Sequence, residues 1–476
     1  MSRPNLRVNA PLLGARRSGP ARLLAAAGLA AAAGLALPGP VAQADTASVR
    51  CSVPDLVEAI GRANGTPGAD TIRLAPKCTY TLVTADPGSP ANGLPAITGD
   101  LTIDGNGATI TRPASAPAFR ILFVAETGDL TLNRTTVSGG RATDCPLFPG
   151  EGVCGGGIYN LGRLTVNRSR VVHNSAVTTV DNLFAEGGGI DSDGTAATVN
   201  DSEISHNTAA YSGSTPSSAE GGGLANDGPL TLNRSRLTDN TVSVADNTDS
   251  FAFGAGHAAF ALTTIEHSTI SGNRVRAVGG TALAALATGS PLPGQATSLS
   301  MTDSTVSGNT TSAPNGVAVG GGLGTNFPVT LTRTRVVDNT ATAPGGTARG
   351  GGIHIGRTGD LTLKDSTVRH NTAHAPGGTA RGGGMSSATG GTVRTDRSHI
   401  RKNTAEAPDG GTAQGGGVFN AVGSTTLTRS SITDNRAVEG GGIFKESGTV
   451  TLNDTTVRGN RGNNCAPPGS VPGCTG

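Results

Sequence analysis

Residues 415–442, GGGVFNAVGSTTLTRSSITDNRAVEGGG, open and close on the same glycine triplet, 25 residues apart. Between the triplets lie two short runs of alternating polarity. This is the pattern of one complete lap of a solenoid, and other glycine triplets open at Gly155, Gly187, Gly221, Gly320, Gly350 and Gly382, with a degraded Gly-Ala-Gly at Gly254. The asparagine of the lap, Asn435, recurs at Asn174, Asn207, Asn240, Asn273, Asn309, Asn339, Asn371, Asn403 and Asn460, and Gly140 takes its place in an earlier lap. A period of this size marks a repeat architecture, in which a single unit cannot bury its apolar face alone and stacking makes the core.

Columns counted back from the asparagine test the reading. Three residues before it every lap is aliphatic, from Val137 and Val171 to Ile432 and Val457. Five before it every lap has Ser or Thr, from Thr135 to Thr455. Eight before it the residue is apolar except at Thr395, and nine before it stands Thr except at Ser300 and Arg394. Apolar residues on either side of an outward threonine give strand periodicity. The aliphatic and the asparagine belong to a second strand and its exit corner, and the Gly-Gly-Gly-aliphatic piece supplies a third. Three short parallel strands per lap predict an all-β fold, a right-handed parallel β-helix solenoid of about 12 coils. At about 4.8 Å per coil the rod is roughly 55 Å long. Buried asparagines in line are expected to bond to one another and to corner backbone, which leaves no lap with orphaned polar groups.

The expected organisation is a signal peptide at 1–44, an N-terminal cap at 45–96, the β-helix at 97–461 and a disulfide-closed tail at 462–476. The signal has five arginines, an apolar run at 23–37 and Ala42-Gln43-Ala44 for cleavage. Fifteen apolar residues are short for a membrane span, so none is expected after cleavage. Removing five arginines and no acids takes the formal charge from +2 to 2 − 5 = −3, and a mildly acidic rod without a basic stripe is not built to hold nucleic acid. In the cap, Pro54-Asp55-Leu56-Val57-Glu58-Ala59-Ile60 reads as a short amphipathic helix with Ser52 as its cap. Covering the open end of a solenoid core is the task such a helix performs.

Residues 51–82, with Glu58-Ala59-Ile60, Ala63-Asn64 and Asp70-Thr71-Ile72-Arg73-Leu74, resemble the CSLREA-type N-terminal module of secreted bacterial β-helix proteins. The laps resemble polymorphic outer-membrane-protein repeats, with an aliphatic residue in place of phenylalanine, as in Ile270-Ser271-Gly272-Asn273. Together these resemblances cover most of 51–460 and imply a pectin-lyase-like β-helix outside the cell.

Six cysteines fall in three close pairs, Cys51/Cys78, Cys145/Cys154 and Cys465/Cys474. After an export signal these read as disulfides. The alternative, metal ligation, has no histidine near the pairs. No metal and no cofactor is expected.

Laps longer than 25 residues carry an insertion between the asparagine and the next triplet. Three insertions are near copies: Ala343-Pro344-Gly345-Gly346-Thr347-Ala348, residues 375–380, and residues 407–413 with one extra. Earlier insertions carry Phe184, Tyr211, Phe251 and Phe253, taken as candidate binding residues that stack on sugar rings from exposed loops along one edge. The competing reading packs them against the flank of the rod.

Other columns carry weaker signals. Arg168, Asp201 and Arg234 form one outward row, and Arg170, Glu203 and Arg236 another, read as cross-lap salt bridges or as a cradle for an acidic substrate. His173, His206 and Asp239 fall in consecutive laps, where a metal site or proton transfer competes with a solvated surface. The threonine row has the look of an ice-ordering array, but its neighbouring column contains Glu266, Lys364 and Asp396. Of the motifs of polygalacturonase-like enzymes only Asn247-Thr248-Asp249 occurs, with Gly256-His257-Ala258 a poor second, and Asp191-Ser192-Asp193 is the nearest approach to an acidic calcium cluster. The expected function is therefore a secreted, non-catalytic scaffold that binds a polysaccharide or cell-envelope polymer. The alternative is a polysaccharide lyase or glycoside hydrolase with an unrecognised active site.

Overall fold

A computed structural model describes residues 45–245, 248–289, 297–388 and 390–475. The export signal expected over 1–44 lies outside them. The chain is an all-β parallel β-helix. Sheets of 14, 13 and 12 strands (sheets 1, 2 and 3) enclose the main core, and two further sheets of 9 strands each stand beside them as a wing. In one lap, sheet 1 takes Thr392–Asp396, sheet 2 His399–Arg401, the wing Thr404–Glu406 and Thr412–Gln414, and sheet 3 Val418–Asn420. Each strand pairs in parallel with its counterpart in the next lap, as Leu361 with Val393 and Val368 with Ile400.

The expectation of three strands per lap holds for the lap that starts at Gly415, with Val418–Asn420, Ser424–Thr428 and Ser431–Thr433. It fails for the longer laps, which have five. Their insertions are not loops. Each forms two strands whose inward residues are chiefly alanines, such as Ala341 and Ala348 or Ala373 and Ala380, fused into a second core separate from the aliphatic one. Methyl groups fill little space, so the two wing sheets lie close. Cα atoms of Phe184–Glu186 and Thr208–Tyr211 come within 8 Å of each other, against the roughly 10 Å usual for stacked sheets.

The glycine triplet makes the waist between the two cores. Its first residue turns the chain at positive φ, +69° at Gly382, and its second abuts backbone: a Cβ on Gly383 would lie 2.3 Å from the carbonyl carbon of Thr404. In one lap the triplet is replaced, and Ala284 is held at φ +28°.

Opposite the triplets runs the asparagine ladder. From Asn174 to Asn460 each Nδ2 donates to Oδ1 of the next asparagine over 2.8–3.1 Å. The same oxygens accept backbone N–H groups, as from Asn309 to Asn339, and Nδ2 reaches corner carbonyls such as Val306 O. The Ser/Thr column forms a parallel ladder, the N–H of Ser169 donating to Ser202 Oγ at 3.0 Å. Both corners thereby satisfy groups that burial would otherwise penalise.

The N-terminal end is closed by helix α1, Val53–Gly65, which runs past both ends of the expected stretch. Ser52 is its N-cap, and Leu56, Ala59, Ile60 and Ala63 face the core. Sheet pairing begins inside the segment assigned to the cap, with Thr46–Val49 beside Ala69–Leu74 and the latter beside Asp100–Asp104. All three expected disulfides are formed, Cys51–Cys78, Cys145–Cys154 and Cys465–Cys474. Among the described residues no helix is long and apolar enough to cross a membrane.

Candidate functional site

Because the triplet folds the chain back sharply, the outer face of the second wing strand meets the outer face of sheet 3. The last residue of each wing strand and the middle residue of each sheet-3 strand form two facing columns, a seam that follows the axis. Three-residue strands of sheet 3 are consequently buried on both sides: Ile158, Tyr159 and Asn160 are all covered. Some facing pairs combine a large and a small residue, as Phe253 with Ala258 and Arg381 with Ser386, and others two large ones, as Arg349 with His354.

Three zones follow along the seam. The N-terminal zone is acidic. Glu186 and Asp191 are buried, with carboxylate oxygens within 4.8 Å of each other and of Cys154 Sγ. That sulfur belongs to a disulfide and offers no thiolate. Tyr159 donates its hydroxyl proton to Asp193 at 2.9 Å, and burial, with Asp193 and Asp191 nearby, pushes its ionisation far above the usual phenol range. The central zone is apolar, with Phe253 stacked on Phe260 at 5.4 Å and packed among Ala225, Ala258, Ala284 and Ala287. The C-terminal zone is basic and aromatic. Arg349 and Arg381 stand one above the other in register, opposite His354 and Ser386. Arg381 lies 4.9 Å over the ring of Phe419, which stacks on Phe444 at 5.5 Å.

The four aromatics singled out in the sequence do not project from loops. Phe184, Tyr211, Phe251 and Phe253 all lie on wing strands. Tyr211 and Phe253 are buried, at 1% and 0% exposure, so neither offers a ring face to a ligand. The Tyr211 hydroxyl donates to Thr215 O at 2.6 Å, and Phe184, half-buried, meets Phe148 edge-on. Phe251 is half-buried in the next but one wing strand. The flank-packing reading thus describes three of them, because wing strands alternate inward and outward and an aromatic on either face finds a neighbour to cover it.

The charged rows behave as expected of cross-lap ion pairs. Arg234 grips Asp201 with two hydrogen bonds of 2.7 and 2.9 Å, and Arg170 reaches Glu203 at 3.1 Å. Further along, Arg333–Asp303 and Arg397–Asp365 repeat the fork. Exposed pairs of this kind contribute little to stability. The rings of His173 and His206 lie 5.0 Å apart, tilted by 37°, on exposed corners. Arg394, which interrupts the threonine row, is paired with Asp360.

Two histidines are buried, His257 completely and His354 down to 9% exposure. His257 Nε2 lies 2.6 Å from Asn226 Oδ1, and His354 Nδ1 lies 2.7 Å from Ser386 Oγ. Burial drives both down to about 3, helped at His354 by Arg349. The unfolded chain takes these protons below the ordinary value near 6.5, while the folded chain refuses them until about pH 3. Acidification through that window therefore favours unfolding by up to about 1.4 kcal/mol per pH unit for each histidine. Carboxylates held low by partners, such as Asp201 and Asp365, lose their contribution only below the ordinary carboxylate range near 4. Urea midpoints are expected to fall between pH 6.5 and 4.5, and less steeply in His257→Gln, whose amide still reaches Asn226. Equal slopes in the two proteins would show that His257 is not a source of the dependence.

The fold and seam together define a parallel β-helix with an alanine-cored wing along one flank. Neither a protein-family model, nor a curated protein, nor a solved structure matches the chain. The seam residues escaped the asparagine-based columns. They are found by counting from the triplets instead: one residue before the first glycine, and four after it.

Proposed function

We propose that the protein is a secreted, non-catalytic scaffold that binds an extended polysaccharide or cell-envelope polymer along the seam beside its wing. The observation that carries this reading is the seam itself: the same two columns face each other through the laps of the nine-stranded wing, repeating at about 4.8 Å. An extended polymer lying along the axis meets several laps at once, and weak contacts add up along a chain. Three disulfides suit an oxidising, extracellular setting. Half-buried Phe251 stays the candidate stacking residue of the four. Phe253→Ala is a test of folding rather than of binding, because emptying a buried phenylalanine site costs about 3–5 kcal/mol.

A glycan array, with reducing-end and unsaturated-product assays on the same samples, tests the proposal. Retention without products is the expected result, and turnover of any polymer overturns it. The alternative, a lyase or glycoside hydrolase, would draw on the paired carboxylates Glu186 and Asp191 beside Tyr159, but both are buried and closer together than the roughly 5–9.5 Å that glycosidic cleavage uses. That reading requires product formation that disappears in Glu186→Gln.

A further inference from the structure

The basic zone of the seam departs from the way this chain treats most of its paired arginines: here two guanidiniums are covered by a second sheet. On the outer rows many guanidiniums meet a carboxylate across one lap, as in Arg134–Asp104, Arg234–Asp201, Arg333–Asp303 and Arg397–Asp365, and where two arginines do follow each other, as Arg369 and Arg401, they stand on the solvent face of sheet 2. Arg349 and Arg381 instead follow each other in one column, paired in register on adjacent wing strands. Two cations therefore stack at about one inter-strand spacing of 4.8 Å. Glu446 is the acid nearest to them, 3.6 Å from Arg381 Nη2, and its own side chain is 44% exposed. One carboxylate against two guanidiniums leaves a positive charge in a half-buried crevice.

Hydrogen bonding is incomplete at the same place. The Nε atoms of Arg349 and Arg381 are both buried, and neither finds an acceptor among the described residues. A buried donor left unmade is expensive, and the chain has placed two of them side by side. Burial, and then the charge of Arg381, pull Arg349 below the usual guanidinium value. His354, opposite Arg349, is held neutral by the same burial and the same arginine, with Nδ1 against Ser386 Oγ. It adds no competing charge, and its Nε2 stays a potential hydrogen-bonding group. Phe419 closes one side of Arg381 as a cation–π platform and so fixes the plane of that guanidinium.

Adjacent, desolvated guanidiniums with spare N–H groups have a natural complement: a planar or tetrahedral oxyanion that accepts from both forks. We propose that Arg349 and Arg381 form an oxyanion site for a carboxylate or sulfate group carried by an acidic polymer, with His354 and Ser386 as its polar floor. The proposal deepens the polymer-binding reading and rests on it for the identity of the larger ligand. The oxyanion site itself is tested separately.

The experiment titrates the full chain with sodium sulfate and with trigalacturonate at constant ionic strength, chloride serving as the reference anion, and follows heat of binding and thermal midpoint. Saturable binding is expected for at least one of the two, which also tells sulfate from carboxylate as the preferred group. Arg349→Gln and Arg381→Gln are each expected to weaken it tenfold or more. Arg349→Lys, which keeps the charge and loses the fork, is expected to fall between. Arg234→Gln, on the outer row, leaves it unchanged. The ligand-free midpoint of Arg349→Gln is expected to stay level or rise, because the change removes a like-charge contact, and this shows that any loss of binding is not loss of fold. Absence of saturable binding by both anions, or equal affinity in the glutamine variants, overturns the proposal. Retention of neutral glycans without oxyanion binding overturns this site while sparing the polymer reading. Oxyanion binding with no polymer retained does the opposite.

Discussion

Gly383→Ala is expected to destabilise the rod by about 3 kcal/mol, the lap at Ala255 being the one that has adapted to a methyl group at the equivalent position. Three backbone atoms define the obstacle: the new Cβ would lie 2.3 Å from Thr404 C, 2.4 Å from Thr404 O and 2.6 Å from Gly416 O. No rotamer relieves a clash with main chain, so either the waist opens or the lap above shifts, and both undo the tight approach of the wing to the main core. The comparison is Gly377→Ala. Gly377 has φ +65° but nothing within 4 Å of the added carbon, so only the left-handed backbone is penalised, by about 1–2 kcal/mol. Soluble yield and chemical unfolding of the two variants separate crowding from conformation. Similar losses in both would mean that backbone angle, and not the waist, explains the triplet.

The second large effect belongs to the ladder. Asn339 is fully buried, and its Oδ1 accepts from both the backbone N–H and the Nδ2 of Asn309. Its Nδ2 donates to Val306 O, Val337 O and Asn371 Oδ1. Asn339→Leu leaves the Asn309 N–H and two carbonyls without these partners in the interior. Each such group costs about 1–3 kcal/mol, and a loss of about 3–5 kcal/mol is expected overall. Asn460, at the partly exposed end of the ladder, is expected to give about 1 kcal/mol on the same substitution, since water replaces what is removed. Long arrays need not unfold in one step, so the measured quantity is the first transition in denaturant. A uniform penalty along the column would contradict the ladder as the source of stability.

Much of the main core was legible because it is written in residues with unambiguous preferences. Aliphatics such as Val368, Ile400 and Ile432 lie one period apart and stack in the core, and buried asparagine at a corner has few uses other than a ladder. The wing was not legible for a chemical reason. Thr-Ala-Thr at 340–342 and Thr-Ala-Arg at 347–349 alternate as strands do, but alanine buries so little area that it reads as a linker, and the Pro-Gly-Gly between them strengthens that impression. Once the insertion is taken for a loop, Tyr211 and Phe253 look exposed, although both are interior. The seam was hidden one step further. It depends on where the outer face of one strand meets the outer face of another, and an outward position in a single strand gives no warning that a second sheet will cover it.

The insertions at 343–348, 375–380 and 407–413 are close to copies of one another, and their strands pair in register from one lap to the next. Each strand pairs only with the laps directly above and below it. A gene that gained or lost one 32-residue unit here, the spacing from Asn339 to Asn371 and from Asn371 to Asn403, would still close over both ladders. Length is thus free to change by whole units while the cross-section is not, and a further copy of the 343–348 or 375–380 type, each followed by arginine, would add one guanidinium to the stack, whereas a copy of 407–413, followed by Gln414, would not.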